Sequence, residues 1–280
     1  MSFDKEVIIF GGTHGNEWTG VYIIKNFQER LLKEFPGLKL SFVLANPEAH
    51  KINQRFKDED LNRAFEYLNE KRENSFEHER AKEIKELILA NECFVIDLHT
   101  TTSNMGNTLI VSHQNNLNLN IAAEVIKRTK GTKVILSPDP QRKYLASQSD
   151  HGLMIEVGPV ANSIVHTQVL DATYELLRSI LKSLVQIKTI NNKEIEVYEE
   201  IEDVYYPKDP SGKLLGSIHE NFQDKDFIPV LNSYTPFKKF SGENVEMNAP
   251  GELYPIFINE AAYYPKGLAY TLCAKRILHF

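Results

Sequence analysis

The sequence of 280 residues has little of what marks secreted, membrane or nucleic-acid-binding proteins. Its two cysteines, Cys93 and Cys273, lie far apart in apolar surroundings, which favours free thiols in a reducing compartment over a disulfide framework. Basic residues are not in excess, since 32 lysines and arginines stand against 38 acidic residues and give a net charge of −6. That balance disfavours a nucleic-acid partner.

Long hydrophobic runs are also missing. No apolar stretch approaches the roughly 20 residues that cross a bilayer, and the run Val7–Phe10 is too short for the apolar core of a signal peptide. We therefore expect a cytoplasmic protein that has neither a membrane nor a nucleic acid as its partner.

The hydrophobic pattern predicts two unequal domains. Up to residue 187, short apolar runs such as Val7–Phe10 and Leu153–Val157 alternate with amphipathic stretches, including a helix from Trp18 to Leu32. After residue 187 the pattern becomes period two and turns are frequent. We predict an α/β domain over residues 1–187 and a smaller β-rich domain over residues 188–280.

Three potential metal ligands follow predicted strands. His14 and Glu17 lie in the turn after the first strand, and His99 ends a later one. The carboxyl ends of strands in open α/β sheets form ligand crevices, so these side chains can converge. Two imidazoles and one carboxylate suit a catalytic zinc ion that keeps one position for water. The alternative is surface charge and a solvated histidine. Asp97 is expected on the opposite face of the strand from His99.

Further polar residues are candidates for proton transfer and for binding a carboxylate. Glu156 lies in an apolar strand end, where burial of a carboxylate is costly without a function or a partner. The polar loop over residues 50–74 contains Arg55 and Arg63, with Asn62 beside the second, and these can hold a carboxylate by paired hydrogen bonds. A structural ion pair and an exposed, salt-bridged loop are the alternatives. Tyr263 either lines the site or serves a domain interface.

Six motifs carry a family resemblance along essentially the whole chain. In order they are Gly-Gly-Thr-His-Gly-Asn-Glu, Ala-Asn-Pro, Asp-Leu-Asn-Arg, Asp-Leu-His followed by Thr-Thr-Thr-Ser-Asn-Met-Gly, Ile-Glu-Val-Gly-Pro and Asn-Glu-Ala-Ala-Tyr-Tyr. The sequence resembles the aspartoacylase and aminoacylase-3 group of the succinylglutamate desuccinylase/aspartoacylase family. The resemblance implies a carboxypeptidase-like α/β/α sandwich with a mixed central sheet, capped by a smaller β-rich carboxyl-terminal domain. It also implies a homodimer.

The resemblance assigns a role to each matching residue. One zinc ion per chain would be held by three ligands, which are His14, Glu17 and His99. A second group would act on the substrate: Glu156 as general base, Arg55 on the scissile carbonyl, Asn62 and Arg63 on the α-carboxylate, and Tyr263 and Tyr144 as further substrate contacts. The implied reaction is deacylation of a small N-acyl-L-amino acid, nominally N-acetyl-L-aspartate.

One position departs from the pattern of mammalian aspartoacylase. In mammalian aspartoacylase an arginine binds the side-chain carboxylate of the substrate, and the corresponding residue here is Ala146. Arg142 or Lys143 would have to bind that carboxylate from a shifted loop. The sequence therefore does not decide which side chain the substrate carries, and N-acetyl neutral or aromatic amino acids are the close alternative to N-acetyl-L-aspartate. A peptidase is a more distant alternative, which the predicted cap disfavours. A catalytically silent protein that binds metal or carboxylate is the alternative from another functional class.

Overall fold

A computed structural model of the chain describes residues 3–70, 75–137, 139 and 141–280. The seven α-helices of these residues, α1 to α7 in chain order, are Trp18–Asn26, Gln28–Glu34, Pro47–Lys51, Leu61–Ala64, Phe76–Asn91, Asn116–Arg128 and Thr167–Val185. The strands, β1 to β12, are Glu6–Gly11, Lys39–Leu44, Phe94–Thr100, Gly106–Val111, Lys133–Leu136, His151–Gly158, Glu194–Tyr205, Gly216–Ile218, Ser233–Lys239, Asn244–Asn248, Tyr254–Ile256 and Leu268–His279. Short 3-10 helices cover Phe65–Tyr67, Ala146–Gln148, Ile187–Thr189 and Tyr264–Lys266.

A nine-stranded mixed sheet forms the centre, in the order β11-β12-β7-β5-β4-β6-β3-β1-β2. Strands β2, β1, β3 and β6 run parallel to one another, and β4 runs antiparallel to β6. A separate antiparallel sheet of β10, β9 and β8 lies in the carboxyl-terminal part. The predicted mixed α/β architecture with a β-rich carboxyl-terminal part is confirmed. The division at residue 187 stays a prediction, since β7 pairs with β5 and continues the central sheet.

Period-two alternation along the inner strands separates two cores. Val7 and Ile9 of β1 pack with the helices α1, α2, α6 and α7, which cover one face of the sheet. Ile8 and Phe10 point to the other face and pack with α4 and α5. Because successive side chains of a strand alternate between faces, a run of apolar residues identifies a strand that is buried on both sides.

The expected helix from Trp18 to Leu32 is wrong in one respect, because it is two helices. Phe27 ends α1 and begins α2, with its backbone N–H bonded to the Ile23 carbonyl oxygen. The ring of Phe27 packs 4.8 Å from that of Tyr174 on α7, centroid to centroid. The hydrophobic periodicity of residues 18–32 gives no indication of this contact with a distant helix.

The polar loop is more structured than expected. Its first two residues belong to the helix Pro47–Lys51, and Leu61–Ala64 and the following turn are also helical. Residues 71–74 of the predicted loop lie outside the described residues. Across the described parts of the chain, we find no helix with the length and apolarity that a bilayer crossing requires.

Close packing of α1 on the sheet brings Glu17 towards the strand ends. A Cβ atom added to Gly11 would lie 2.5 Å from the carbonyl oxygen of Gly20, and one added to Gly20 would lie 3.0 Å from Leu98. Glycine at both positions therefore lets the first turn of α1 approach β1 and β3 more closely than any other residue would.

We expect Gly11→Ala to destabilise the fold, because its methyl group would push α1 off the sheet. Overpacking of this kind costs about 1–3 kcal/mol of unfolding free energy, which thermal or urea denaturation measures. Gly251→Ala is the matched control, since a Cβ atom at Gly251 meets no heavy atom within 4 Å. Equal stability of the two variants would contradict the account of the contact between α1 and β1.

Candidate active site

Neighbouring strands bring His14, Glu17 and His99 together. The turn after β1 carries His14 and Glu17, and His99 lies near the end of β3, which pairs with β1 in parallel. One potential ligand atom from each residue lies within 4.8 Å of those of the other two, and all three residues are buried. The convergence expected from the sequence is therefore present in the fold.

Both imidazoles turn the same ring nitrogen towards one carboxylate. The Nδ1 atom of His14 lies 2.5 Å from Glu17 Oε1, and that of His99 lies 3.0 Å from Glu17 Oε2. The backbone N–H of Thr100 also donates to Glu17 Oε2, at 3.1 Å. Burial alone would raise the pKa of Glu17, but the two imidazoles hold it well below its usual range.

Each of the two histidines has a further carboxylate partner of its own at the Nε2 atom. His14 Nε2 lies 3.2 Å from Asp60 Oδ1, and His99 Nε2 lies 2.8 Å from Asp97 Oδ2. Thr13 Oγ1 donates to Asp97 Oδ1 at 2.7 Å. The expectation that Asp97 lies on the opposite face from His99 is wrong, because residues two apart on a strand share a face.

The arrangement fits a bound cation. A carboxylate that accepts the Nε2 proton of a histidine leaves a lone pair on Nδ1, which here faces the Glu17 oxygens. A lone pair and a carboxylate repel each other unless a proton or a metal ion lies between them. Burial lowers the pKa of His99, yet Asp97 and Glu17 raise it well above its usual value, so the site favours positive charge. Nitrogen and carboxylate donors of this kind suit zinc.

A charged arginine faces the same point. The Arg55 Nη1 atom lies 3.5 Å from Glu17 Oε1. Its Nε and Nη2 atoms both donate to Asp60 Oδ2, at 3.3 Å. Burial would lower the pKa of Arg55, but Asp60 and Glu17 raise it, so the guanidinium keeps its charge. Asp60 thus orients both His14 and Arg55.

Glu156 lies beside the three potential ligands. It is on β6, in register with His99 of β3. Burial raises the pKa of Glu156 well above its usual value, and the charges of Glu17 and Glu260 add to that rise against the opposing effect of His99 and Arg55. A carboxylate in these surroundings readily accepts a proton and can pass it on near neutral pH.

All the residues predicted for the site line one cavity of about 290 Å³. They are His14, Glu17, Arg55, Asn62, Arg63, His99, Tyr144, Glu156 and Tyr263. The structure thus collects side chains from six separate stretches of the sequence. Their chemical roles stay predictions.

The residues assigned to the substrate form a connected wall of this cavity. The guanidinium carbon of Arg63 lies 4.7 Å from the centroid of the Tyr144 ring, and Arg63 Nη1 donates to the Asn62 carbonyl oxygen at 3.1 Å. The amide oxygen of Asn62 accepts from the backbone N–H of Leu145 at 2.9 Å. Burial raises the pKa of Tyr263, so its hydroxyl keeps its proton and can donate.

The arginine missing at Ala146 is not replaced from the neighbouring loop. Ala146 is buried in the core on one face of the sheet. Arg142 pairs with Asp150 and donates to backbone carbonyls, and Lys143 Nζ lies 2.9 Å from Glu66. Neither Arg142 nor Lys143 is among the residues that line the cavity.

Two buried carboxylates, Glu77 and Glu260, hold the loops of the site, and the sequence did not indicate this role for either. Glu77, at the start of α5, accepts the backbone N–H groups of Lys57, Asp58 and Glu59 at 2.7–3.3 Å and the side-chain amide of Asn46 at 3.0 Å. An acidic residue in the first turn of a helix usually complements the helix dipole, so its sequence context suggests a surface role.

Glu260 does the same for the segment after His99. Its Oε2 atom accepts from Thr102 N at 2.8 Å, from Thr102 Oγ1 at 2.9 Å, and from the hydroxyl of Thr101. The acid lies in the predicted Asn-Glu-Ala-Ala-Tyr-Tyr motif, but nothing in the sequence indicates which segment it contacts.

Family models match both parts of the chain. A model described as the succinylglutamate desuccinylase/aspartoacylase catalytic domain matches residues 4–184, and a model described as the AstE/AspA barrel-sandwich hybrid domain matches residues 193–275. The chain belongs to the succinylglutamate desuccinylase/aspartoacylase family. The family resemblance carried by the six motifs is thereby confirmed.

Relatives and a solved structure cover nearly the whole chain. A probable aspartoacylase from Nostoc sp. is 34% identical, over 100% of this chain and 99% of that one. The N-acyl-aromatic-L-amino acid amidohydrolase (carboxylate-forming) of Xenopus laevis is 32% identical, over 97% and 95%. The crystal structure of murine aminoacylase 3 superposes with a TM-score of 0.91 at 30% identity, over 98% and 96%.

We expect Glu77→Gln to loosen the loop that carries Arg55 and Asp60. The amide would turn an N–H group towards backbone N–H groups, and a buried donor without its partner costs about 1–3 kcal/mol. Chemical denaturation should show that loss, and the variant should also bind metal more weakly in a competition titration with a chelator. Glu79→Gln is the control on the same helix, because Glu79 makes an exposed pair with Lys82. A Glu77 variant as stable as this control would contradict the role of Glu77.

Proposed function

We propose that the chain is a zinc-dependent amidohydrolase that splits a small N-acyl-L-amino acid into a carboxylate and a free amino acid. The observation that carries the proposal is the pair of Nδ1 atoms facing the carboxylate of Glu17, with Arg55 and Glu156 beside them. The names of the relatives, which include aspartoacylases and an N-acyl-aromatic-amino acid amidohydrolase, support the same reaction class. The expected homodimer and cytoplasmic location stay predictions.

His14, Glu17 and His99 are the residues that would hold the zinc ion. When bound, zinc supplies a Lewis acid that polarises a carbonyl group and makes water more acidic. Asp60 and Asp97 fix the ring orientation of the two histidines, as carboxylates beside metal-binding imidazoles commonly do.

Glu156 moves the proton. In the proposed reaction its carboxylate takes a proton from the attacking water, whose oxygen forms a bond to the acyl carbon. The same proton then goes to the amide nitrogen as the carbon–nitrogen bond breaks, so that the amine leaves in neutral form. A raised pKa suits both steps, because the group must gain a proton and lose it again within one turnover.

Arg55 stabilises the oxygen that becomes negative in the transition state. Its guanidinium is held in place by Asp60 and points Nη1 towards the three ligands. A fixed cation at this point needs no rearrangement when charge develops, which is the condition for strong electrostatic catalysis.

The remaining wall would hold the amino-acid half of the substrate. Arg63 stacks on Tyr144 and can form paired hydrogen bonds with the α-carboxylate, while Asn62 and Tyr263 offer further donors. A cavity of about 290 Å³ suits a small molecule such as an N-acyl amino acid.

The names of the relatives suggest two classes of substrate, which differ in the side chain of the amino acid. N-acetyl-L-aspartate is the nominal substrate from the aspartoacylases, and an N-acetyl aromatic amino acid is the alternative from the amphibian amidohydrolase. Both share the reacting amide and the α-carboxylate, so the chemistry proposed for Glu156 and Arg55 applies to either.

We expect Glu156→Gln to abolish turnover and leave zinc in place. Loss of a general base lowers kcat by about 10²–10⁴-fold, and the amide has nearly the same shape as the carboxylate. Amine release from a panel of N-acetyl amino acids measures the activity, and elemental analysis of the same sample measures zinc. Retained zinc with turnover close to wild type would remove the role of Glu156, and absence of zinc from the active wild-type enzyme would contradict the proposal as a whole.

A further inference from the structure

The wall of the cavity formed by β7 and the strands beside it is acidic. Glu200 and Asp203 of β7 line the same cavity as the candidate ligands. Arg55, Arg63 and Lys266 are the lysine and arginine residues of the lining and lie near one another. Burial lowers the pKa of Lys266, and the charges of Arg63 and Arg55 lower it further. The basic side chains of the lining therefore lie together with Glu17, Glu156 and Glu260, whereas the two charged residues that β7 contributes are both acids.

A β-bulge turns both acidic residues to the cavity. Asp203 pairs with Thr271 of β12 and Glu202 with Leu272, but the next partner, Cys273, pairs with Glu200. Ile201 is thus an extra residue in β7. Residues three apart on a regular strand point to opposite faces, and one extra residue brings them to the same face. Glu202, between the two, is not among the residues that line the cavity.

Hydroxyl groups hold one oxygen of each carboxylate. Ser137 Oγ donates to Glu200 Oε2 at 2.8 Å, and Thr271 Oγ1 donates to Asp203 Oδ1 at 2.7 Å. Within the part of the chain that the structure describes, neither acid has a lysine or arginine nitrogen within 4.0 Å. Arg63 attracts Glu200 only from a greater distance. Both acids keep part of their surface exposed to solvent. Desolvation on the cavity side and the charge of Asp203 raise the pKa of Glu200, although the hydrogen bond from Ser137 opposes them.

The strands of this wall contribute no basic side chain to the described lining, and Lys266 lies with Arg55 and Arg63 instead. Arg142 and Lys143 are paired with Asp150 and Glu66, and neither they nor Ala146 line the cavity. A substrate side chain ending in a carboxylate would meet two acids, whereas an ammonium or guanidinium group would complete two charge-assisted hydrogen bonds.

We propose that Glu200 and Asp203 select N-acyl-L-amino acids with a basic side chain, whose α-carboxylate binds at Arg63 and whose terminal cation lies between the two acids. This inference rests on the proposed function and names its substrate class. It disfavours N-acetyl-L-aspartate and assigns specificity to residues that take no part in cleaving the amide bond.

Matched substrates isolate the effect of charge. Nα-acetyl-L-lysine and N-acetyl-L-norleucine have the same carbon chain and differ in the terminal ammonium group. With the zinc-loaded wild-type enzyme, we expect kcat/KM for the lysine compound to exceed that for the norleucine compound by at least about tenfold. N-acetyl-L-aspartate and N-acetyl-L-phenylalanine complete the panel, and both should be poorer substrates than the lysine compound.

Matched variants locate the effect. The double change Glu200→Gln, Asp203→Asn keeps the shape of both side chains and should bring the lysine to norleucine ratio of kcat/KM close to one. Glu202→Gln removes one negative charge from the same strand outside the cavity and should leave the ratio as in the wild type. Asp203→Lys should shift preference towards N-acetyl-L-aspartate.

The outcomes separate the two proposals. Hydrolysis of none of these compounds overturns the proposed function, and the inference with it. Hydrolysis of the panel with equal kcat/KM for the lysine and norleucine compounds, or with a preference for N-acetyl-L-aspartate or N-acetyl-L-phenylalanine, overturns the inference alone. A preference for lysine that survives the double change also overturns it.

Discussion

The contact of two imidazole nitrogens with the carboxylate of Glu17 is the constraint on which the rest of the site depends. It requires β1 and β3 to be parallel neighbours, and it requires α1 to begin immediately after the turn that carries His14. It also concentrates negative charge, because Asp60 and Asp97 stand behind the two rings. A buried group of this composition is stable only if a cation completes it, since uncompensated buried charge is strongly unfavourable. Arg55 supplies part of that charge, and a zinc ion bound as proposed would supply the remainder.

Much of the fold and of the candidate site could be predicted because their signals are local. Apolar runs such as Val7–Phe10 and Leu153–Val157 identified strands β1 and β6, and the polar residues that follow such strands gather at one edge of the sheet. For this reason His14, Glu17, His99 and Glu156 could be found one by one and then placed together. Arg55, Asn62 and Arg63 were ambiguous as residues, and only the resemblance to the family gave them roles.

What could not be predicted depends on contacts between distant segments. The side chain of Glu77 serves a loop about twenty residues earlier in the chain, and no periodicity reports on such a bond. The break between α1 and α2 lies at Phe27, whose ring packs against Tyr174 of the distant helix α7. The bulge at Ile201 is a matter of register between β7 and β12, so the strand pattern alone gives no means of seeing that Glu200 and Asp203 share a face. The acidic wall of the cavity follows from that single extra residue.

The measurement that tests the central claim most directly is anomalous X-ray diffraction from crystals of the purified protein, recorded on both sides of the zinc absorption edge. The account predicts one strong anomalous peak per chain, within bonding distance of Nδ1 of His14, Nδ1 of His99 and the carboxylate of Glu17. A peak elsewhere in the chain, or zinc-loaded crystals in which these three groups contact one another with no peak between them, would contradict it.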